Sequence, residues 1–126
     1  METRKHIAAE KKKTCNCAQA VIATYADLAG ITEEQAMALG SAFGSGMGNM
    51  EGTCGALTGA AVVLGLIKRD KIQARKCMIR IMNDFQARNG ATQCKALKGV
   101  ETGQLLRSCE DCVADASELL EQHISK

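Results

Sequence analysis

No proline interrupts the chain of 126 residues. Backbone hydrogen bonding can therefore run unbroken until glycine or a capping residue stops it. Apolar positions recur throughout at three- and four-residue spacing, and no alternating strand pattern of useful length occurs. Only Tyr25, Phe43 and Phe85 are aromatic, so a core must be assembled from Ala, Leu, Ile, Val and Met, which favours closely packed helices. The length suits one domain with its own core. We expect an all-α, single-domain bundle over residues 1–126, with about five helices around a buried Gly/Ala-rich one.

Local signals set the expected boundaries. A short charged helix is expected over 2–12. Asn16 and Gln19 form a capping box for a helix over 17–29, ended by Gly30, and Thr32 and Gln35 repeat the device for 33–43. Residues 44–52 hold four glycines and read as a loop. Thr53 is expected to cap the central helix, 54–68, whose Gly55, Gly59 and Gly65 suit close approach of neighbours. Asp70 and Gln73 open a helix with a buried stripe of Ala74, Cys77, Met78, Ile81, Met82 and Phe85, ended by Gly90. A short turn or helical piece follows at 93–97. The last helix is expected over 103–124, with Leu105, Leu106, Cys109, Cys112, Val113, Ala116, Leu120 and Ile124 facing inward.

Several function classes are disfavoured. A formal charge of +2 and three aromatic residues offer neither a phosphate footprint nor a stacking surface, so no nucleic-acid binding is expected. The run Lys11, Lys12 and Lys13 reads as a solvated helix face. The apolar stretch at 56–67 is shorter than the ~20 residues needed to cross a bilayer, and Gln19, Thr24 and Asp27 interrupt the segment that otherwise imitates a signal peptide. A cytoplasmic protein without a membrane span is the expectation. The glycine-rich loop lacks a preceding strand and a Gly-Lys-Ser/Thr ending, so it is not a phosphate-binding loop. His6 and His123 lie among charges near opposite chain ends and are expected on the surface.

Seven cysteines remain. An odd number cannot pair completely, and a reducing compartment keeps thiols free, which directs attention to redox or metal chemistry. Cys17 and Cys54 are expected just inside helix starts and Cys94 at the start of a helical turn, where unpaired N–H groups favour thiolate. Cys109 and Cys112, three residues apart, share an inner helix face. A cysteine on an apolar face is more often a small core residue: Cys77 reads that way, and Cys15 as peripheral.

These residues carry a resemblance. The segment Asn16-Cys17-Ala18-Gln19-Ala20-Val21, the glycine run after Phe43, then Cys54-Gly55-Ala56-Leu57-Thr58-Gly59-Ala60, Asn89-Gly90 ahead of Cys94, and Cys109 ahead of Val113 and Ala116 resemble the C_GCAxxG_C_C family of redox-active proteins over most of the chain. The resemblance implies four characteristic cysteines, Cys17, Cys54, Cys94 and Cys109, as cofactor- or metal-binding residues. It also implies a redox role, as electron carrier or oxidoreductase, with a redox partner protein. A related module in split-Soret type cytochromes accompanies an iron-sulfur cluster, which makes such a cluster one expectation. Cys112 lies outside the pattern and is an alternative to Cys109 as ligand. Three chemistries stay open: an iron-sulfur centre on four cysteines, a metal-free thiol-disulfide site in which Cys17 or Cys54 attacks, and a structural zinc site or plain helical module. The redox readings require the four cysteines to converge although up to 92 residues separate them.

Overall fold

The computed structural model describes residues 3–124. Among these, eight helices form: α1 (Arg4–Lys11), α2 (Cys17–Thr24), α3 (Ala26–Ala29), α4 (Glu33–Gly40), α5 (Gly55–Lys68), α6 (Lys71–Asn89), α7 (Cys94–Lys98) and α8 (Cys109–His123). The count exceeds the expected five because the helix anticipated over 17–29 divides in two and the short piece around 93–97 is itself helical. The start of α1 expected at Glu2 lies outside the described residues.

Capping chemistry fixes most helix starts. Asn16 accepts from the Gln19 amide while the Gln19 side chain accepts from the Asn16 amide, and Thr32 with Gln35 does the same. The helix expected over 17–29 instead breaks at Tyr25, whose φ of −108° and ψ of 9° leave the helical region. Tyr25 is wholly buried, and its hydroxyl donates to the Ser117 carbonyl at 2.7 Å, tying α2 to α8. Helix α4 ends at Gly40, short of Phe43. Asp70 caps α6 through the Ile72 amide alone, without help from Gln73.

Helix α5 is the central element, packed against α2, α6 and α8. It buries Gly55, Ala56, Leu57, Gly59, Ala60, Val63 and Leu64. At Gly59 a β-carbon would stand 2.9 Å from the Ala18 carbonyl oxygen and 3.0 Å from its α-carbon, so the α2 backbone occupies that space. Gly65 differs: nothing lies within 4 Å of its missing side chain, and it is exposed. The stripe on α6 is as expected, with Cys77, Ile81 and Phe85 buried and Ala74, Met78 and Met82 packed at its margin.

The last helix departs furthest from expectation. It starts at Cys109, where Ser108 accepts from the Asp111 amide, and residues 99–107 form a loop. Leu105 and Leu106 are therefore exposed rather than core residues, while Cys112, Val113, Ala116 and Leu120 are buried. A polar hub fastens this region. Asp115, 6% exposed, accepts two hydrogen bonds from Arg107 and one each from Arg88 and Asn89. His123 is also more enclosed than expected, with its side chain 12% exposed and its Nε2 2.8 Å from an Asp84 carboxylate oxygen. No described helix is long and apolar enough to cross a membrane.

Cys77 sits in the core beneath α8, its sulfur 3.7 Å from the His123 carbonyl oxygen. Cys77→Ala removes one buried atom and no polar network. It should cost about 1 kcal/mol in thermal or denaturant unfolding and leave oxidation and metal uptake unchanged. Loss of either property would show that Cys77 belongs to the redox site.

Candidate redox site

Four of the seven cysteines stand at the starts of four helices. Cys17, Cys94 and Cys109 are the first residues of α2, α7 and α8, and Cys54 is the residue preceding α5. Each meets the partial positive charge and the unpaired amides of a helix end. Thr53, expected to cap α5, instead forms an isolated antiparallel bridge with Gln93. The Cys54 amide donates to Thr92 at 2.8 Å and the Cys94 amide to Gly52 at 3.0 Å. This backbone strap sets Cys54 beside Cys94 although 40 positions separate them. Cys17 reaches the same place because α2 crosses α5 closely at Gly55, where a β-carbon would lie 3.2 Å from that of Cys17.

The glycine-rich loop closes the site. Ser45 and Gly46 adopt left-handed backbone angles, so Gly44–Met47 is a tight turn rather than a helix. Gly46 is buried against Cys94. The turn is anchored by Met50 and Gly52 amides donating to Ser45 and Gly46, and by the Lys95 amide donating to Met50. A cavity of about 140 Å³ results, lined by Cys17, Cys54, Cys94 and Cys109 together with Gly46 and Lys98. Thus the four cysteines expected to converge do face one cavity. Cys112 does not line it, lying fully buried behind Cys54, and neither Cys15 nor Cys77 reaches it.

The thiols bear on one another's ionisation: Cys17 with Cys109 and Cys54, and Cys54 also with Cys112. Cys54 is held down to about 3, first by hydrogen bonding from Cys112 and then from Cys17, against the opposing effect of burial. Cys109 is held down to about 5, chiefly by its hydrogen bond with Cys17, with the charge of Lys98 assisting. The other two move the opposite way: Cys17 and Cys112 are pushed up because each, as a thiol, donates towards a neighbouring thiolate and so keeps its proton, and burial adds to the effect. Burial also raises Cys94. The site therefore favours two thiolates, Cys54 and Cys109, braced by two thiols.

Lys98 escapes a reading of the sequence alone. It lies four residues after Cys94, on the same face of α7, and its Nζ stands 3.7 Å from the Cys112 sulfur. The i to i+4 spacing from a helix-start cysteine is the one local signal that points to it.

These environments predict different alkylation profiles. The partly exposed Cys109 should be thiolate at pH 6, whereas Cys15, raised by burial, should stay protonated. Cys109 should then react with iodoacetamide about tenfold faster than Cys15 at pH 6, after allowing for the lower intrinsic nucleophilicity of a low-pKa thiolate. Its rate should be nearly flat to pH 8 while that of Cys15 climbs. Peptide mapping that finds the two rising in parallel would remove the thiolate assignment.

Among the described residues, no group of three or more His, Cys, Asp or Glu side chains is arranged to hold a single metal ion. Cys17, Cys54, Cys94 and Cys109 nevertheless line one cavity, a set of soft sulfur donors. No curated protein and no solved structure matches the chain. The family model described as "Putative redox-active protein (C_GCAxxG_C_C)" matches residues 15–123, and with that span covering most of the molecule, including every cysteine, the chain belongs to the C_GCAxxG_C_C family.

Proposed function

We propose that this redox protein transfers electrons through an iron-sulfur centre held by Cys17, Cys54, Cys94 and Cys109, in exchange with a redox partner protein. The observation that carries the reading is the meeting of four helix-start cysteines around one cavity of about 140 Å³. Cys94 weighs most. It faces the cavity but, unlike Cys17, Cys54 and Cys109, is shifted chiefly by burial and not by a partner thiol, so a dithiol mechanism has no use for it, whereas a four-thiolate site needs it. Such a centre supplies one-electron chemistry at a potential set by charge, hydrogen bonds and solvent exposure. The chain's own part is to gather the thiolates, to offset their charge with helix N-termini and Lys98, and to cover them with the 44–52 loop. A reducing, cytoplasmic setting would keep the ligating thiols available.

Anaerobic incubation with ferrous iron and sulfide, followed by desalting, tests the reading. Retained iron and sulfide with visible absorbance that bleaches on reduction is the expected result, and Cys94→Ser should lose most of it. A colourless, iron-free product would overturn it.

The contact between Cys17 and Cys54 favours a second reading, metal-free thiol-disulfide exchange. Cys54, as thiolate, would attack a disulfide of the partner and release one partner thiolate. Cys17, passing its proton to the thiolate just released, would then displace the second, leaving a Cys17–Cys54 disulfide and the partner reduced. This reading expects the colourless protein to lose two free thiols per chain on mild oxidation, with Cys94→Ser unaffected.

A further inference from the structure

Lys98 is placed with more constraint than a helix-end lysine requires. A basic residue in a last turn usually serves the carbonyls of its own helix, yet Lys98 Nζ donates to the Arg107 carbonyl at 3.0 Å and approaches Cys112 Sγ at 3.7 Å. Cys109 lines the same cavity wall, so the ammonium is fixed by one carbonyl and one sulfur with Cys17, Cys54, Cys94 and Cys109 around the same space. The loop that supplies these acceptors is folded tightly. Gly99 has φ +69°, and a β-carbon there would overlap the Gln104 carbonyl. Arg107 is clamped in turn by two hydrogen bonds to buried Asp115. The ammonium is therefore held at a fixed point on the cavity wall.

We propose that Lys98 is a positioning residue whose fixed positive charge sets the redox poise of the cysteine site, favouring its reduced form. The inference rests on the redox reading but has the same sign for either chemistry. A bound centre that accepts one electron from a donor protein gains one negative charge. A Cys17–Cys54 disulfide that accepts two electrons from a dithiol donor breaks its S–S bond and becomes the Cys54 thiolate and the Cys17 thiol, while the donor forms a disulfide, passes one proton to Cys17 and releases the other. In both cases the reduced state is the more negative one, and an ammonium lining the same cavity as the cysteines that take up the electrons stabilises it.

The test uses wild type, Lys98→Gln, Lys98→Met and Lys98→Arg after anaerobic treatment with iron and sulfide, equilibrated over a series of ambient potentials. Reduction is read both by visible bleaching and by mass-spectrometric counting of free thiols. At the wild-type midpoint, Lys98→Gln and Lys98→Met should lower the ratio of reduced to oxidised protein about tenfold, allowing for partial screening by solvent. Lys98→Arg should stay within about twofold of wild type. Equal midpoints for wild type and the neutral variants would overturn the proposal. So would a Lys98→Arg shift as large as that of Lys98→Gln, or loss of helicity in both neutral variants, since either outcome assigns Lys98 a structural task. A colourless protein that titrates with two electrons and still shows the shift would sink the iron-sulfur reading and leave Lys98 in place.

Discussion

Gly59→Leu is expected to destabilise the protein by about 3 kcal/mol, or roughly 10 °C in Tm for a domain of this size. The β-carbon alone would meet the Ala18 carbonyl oxygen at 2.9 Å and the Ala18 α-carbon at 3.0 Å, and the remaining atoms of leucine would press further into α2. Overpacking commonly costs about 1–3 kcal/mol when side chains can rearrange. Here the obstacle is backbone, so the cost belongs at the upper end. The better helix propensity of leucine returns about 1 kcal/mol at most. Gly65→Leu is the matched control, because its site is open and exposed, and it should be neutral or slightly stabilising. Thermal denaturation of the pair checks the claim, and equal Tm values would show that α5 does not cross α2 at Gly59.

The contrast between these two glycines marks what a sequence can convey. Gly55, Gly59 and Gly65 look alike in the chain, and only the path of α2 decides that the first two are crossings and the third is not. Capping residues were more legible because their partners lie three positions away: Asn16 with Gln19 and Thr32 with Gln35 act as read. The start of α8 was misplaced: Ser108 caps it by accepting from the Asp111 amide. The apolar spacing of Leu105 and Leu106 pointed to an earlier start, yet both side chains are in solvent. Thr53 failed for the opposite reason, since a threonine before a helix can cap it or pair with a distant strand, and here Gln93 captured it.

The convergence of the site was legible in outline. Cysteines at helix starts are physically biased towards thiolate, and placing Cys17, Cys54 and Cys94 there needed only local rules. The start of α8 adds Cys109 to the same class. Neither the position of Cys112 behind Cys54 nor that of Lys98 could be read, because both depend on the 99–107 loop returning to the end of α7.

Gly46→Ala should produce the largest functional loss of any substitution that leaves all seven cysteines in place. The residue has φ +56°, in the left-handed region where a side chain is disfavoured, and it is buried. A β-carbon would fall 2.5 Å from the Cys94 β-carbon and 3.0 Å from the Gly52 carbonyl oxygen. That carbonyl accepts the Cys94 amide, so the turn and the cysteine cannot separate without breaking the strap that also aligns Cys54. A single methyl group therefore displaces one of the four thiols from the cavity. The cost to the fold should be modest, about 1–2 kcal/mol, because the 44–52 loop lies outside the α2–α5–α8 core. On the proposed iron-sulfur reading the cost to the site should match that of Cys94→Ser, with iron retained after anaerobic loading falling to a small fraction of the wild-type level. Gly48→Ala supplies the control: its φ of +90° carries comparable backbone strain, but nothing lies within 4 Å, so iron retention should persist. If Gly46→Ala retains iron as wild type does, Cys94 is not a ligand and the chemistry falls to Cys17, Cys54 and Cys109.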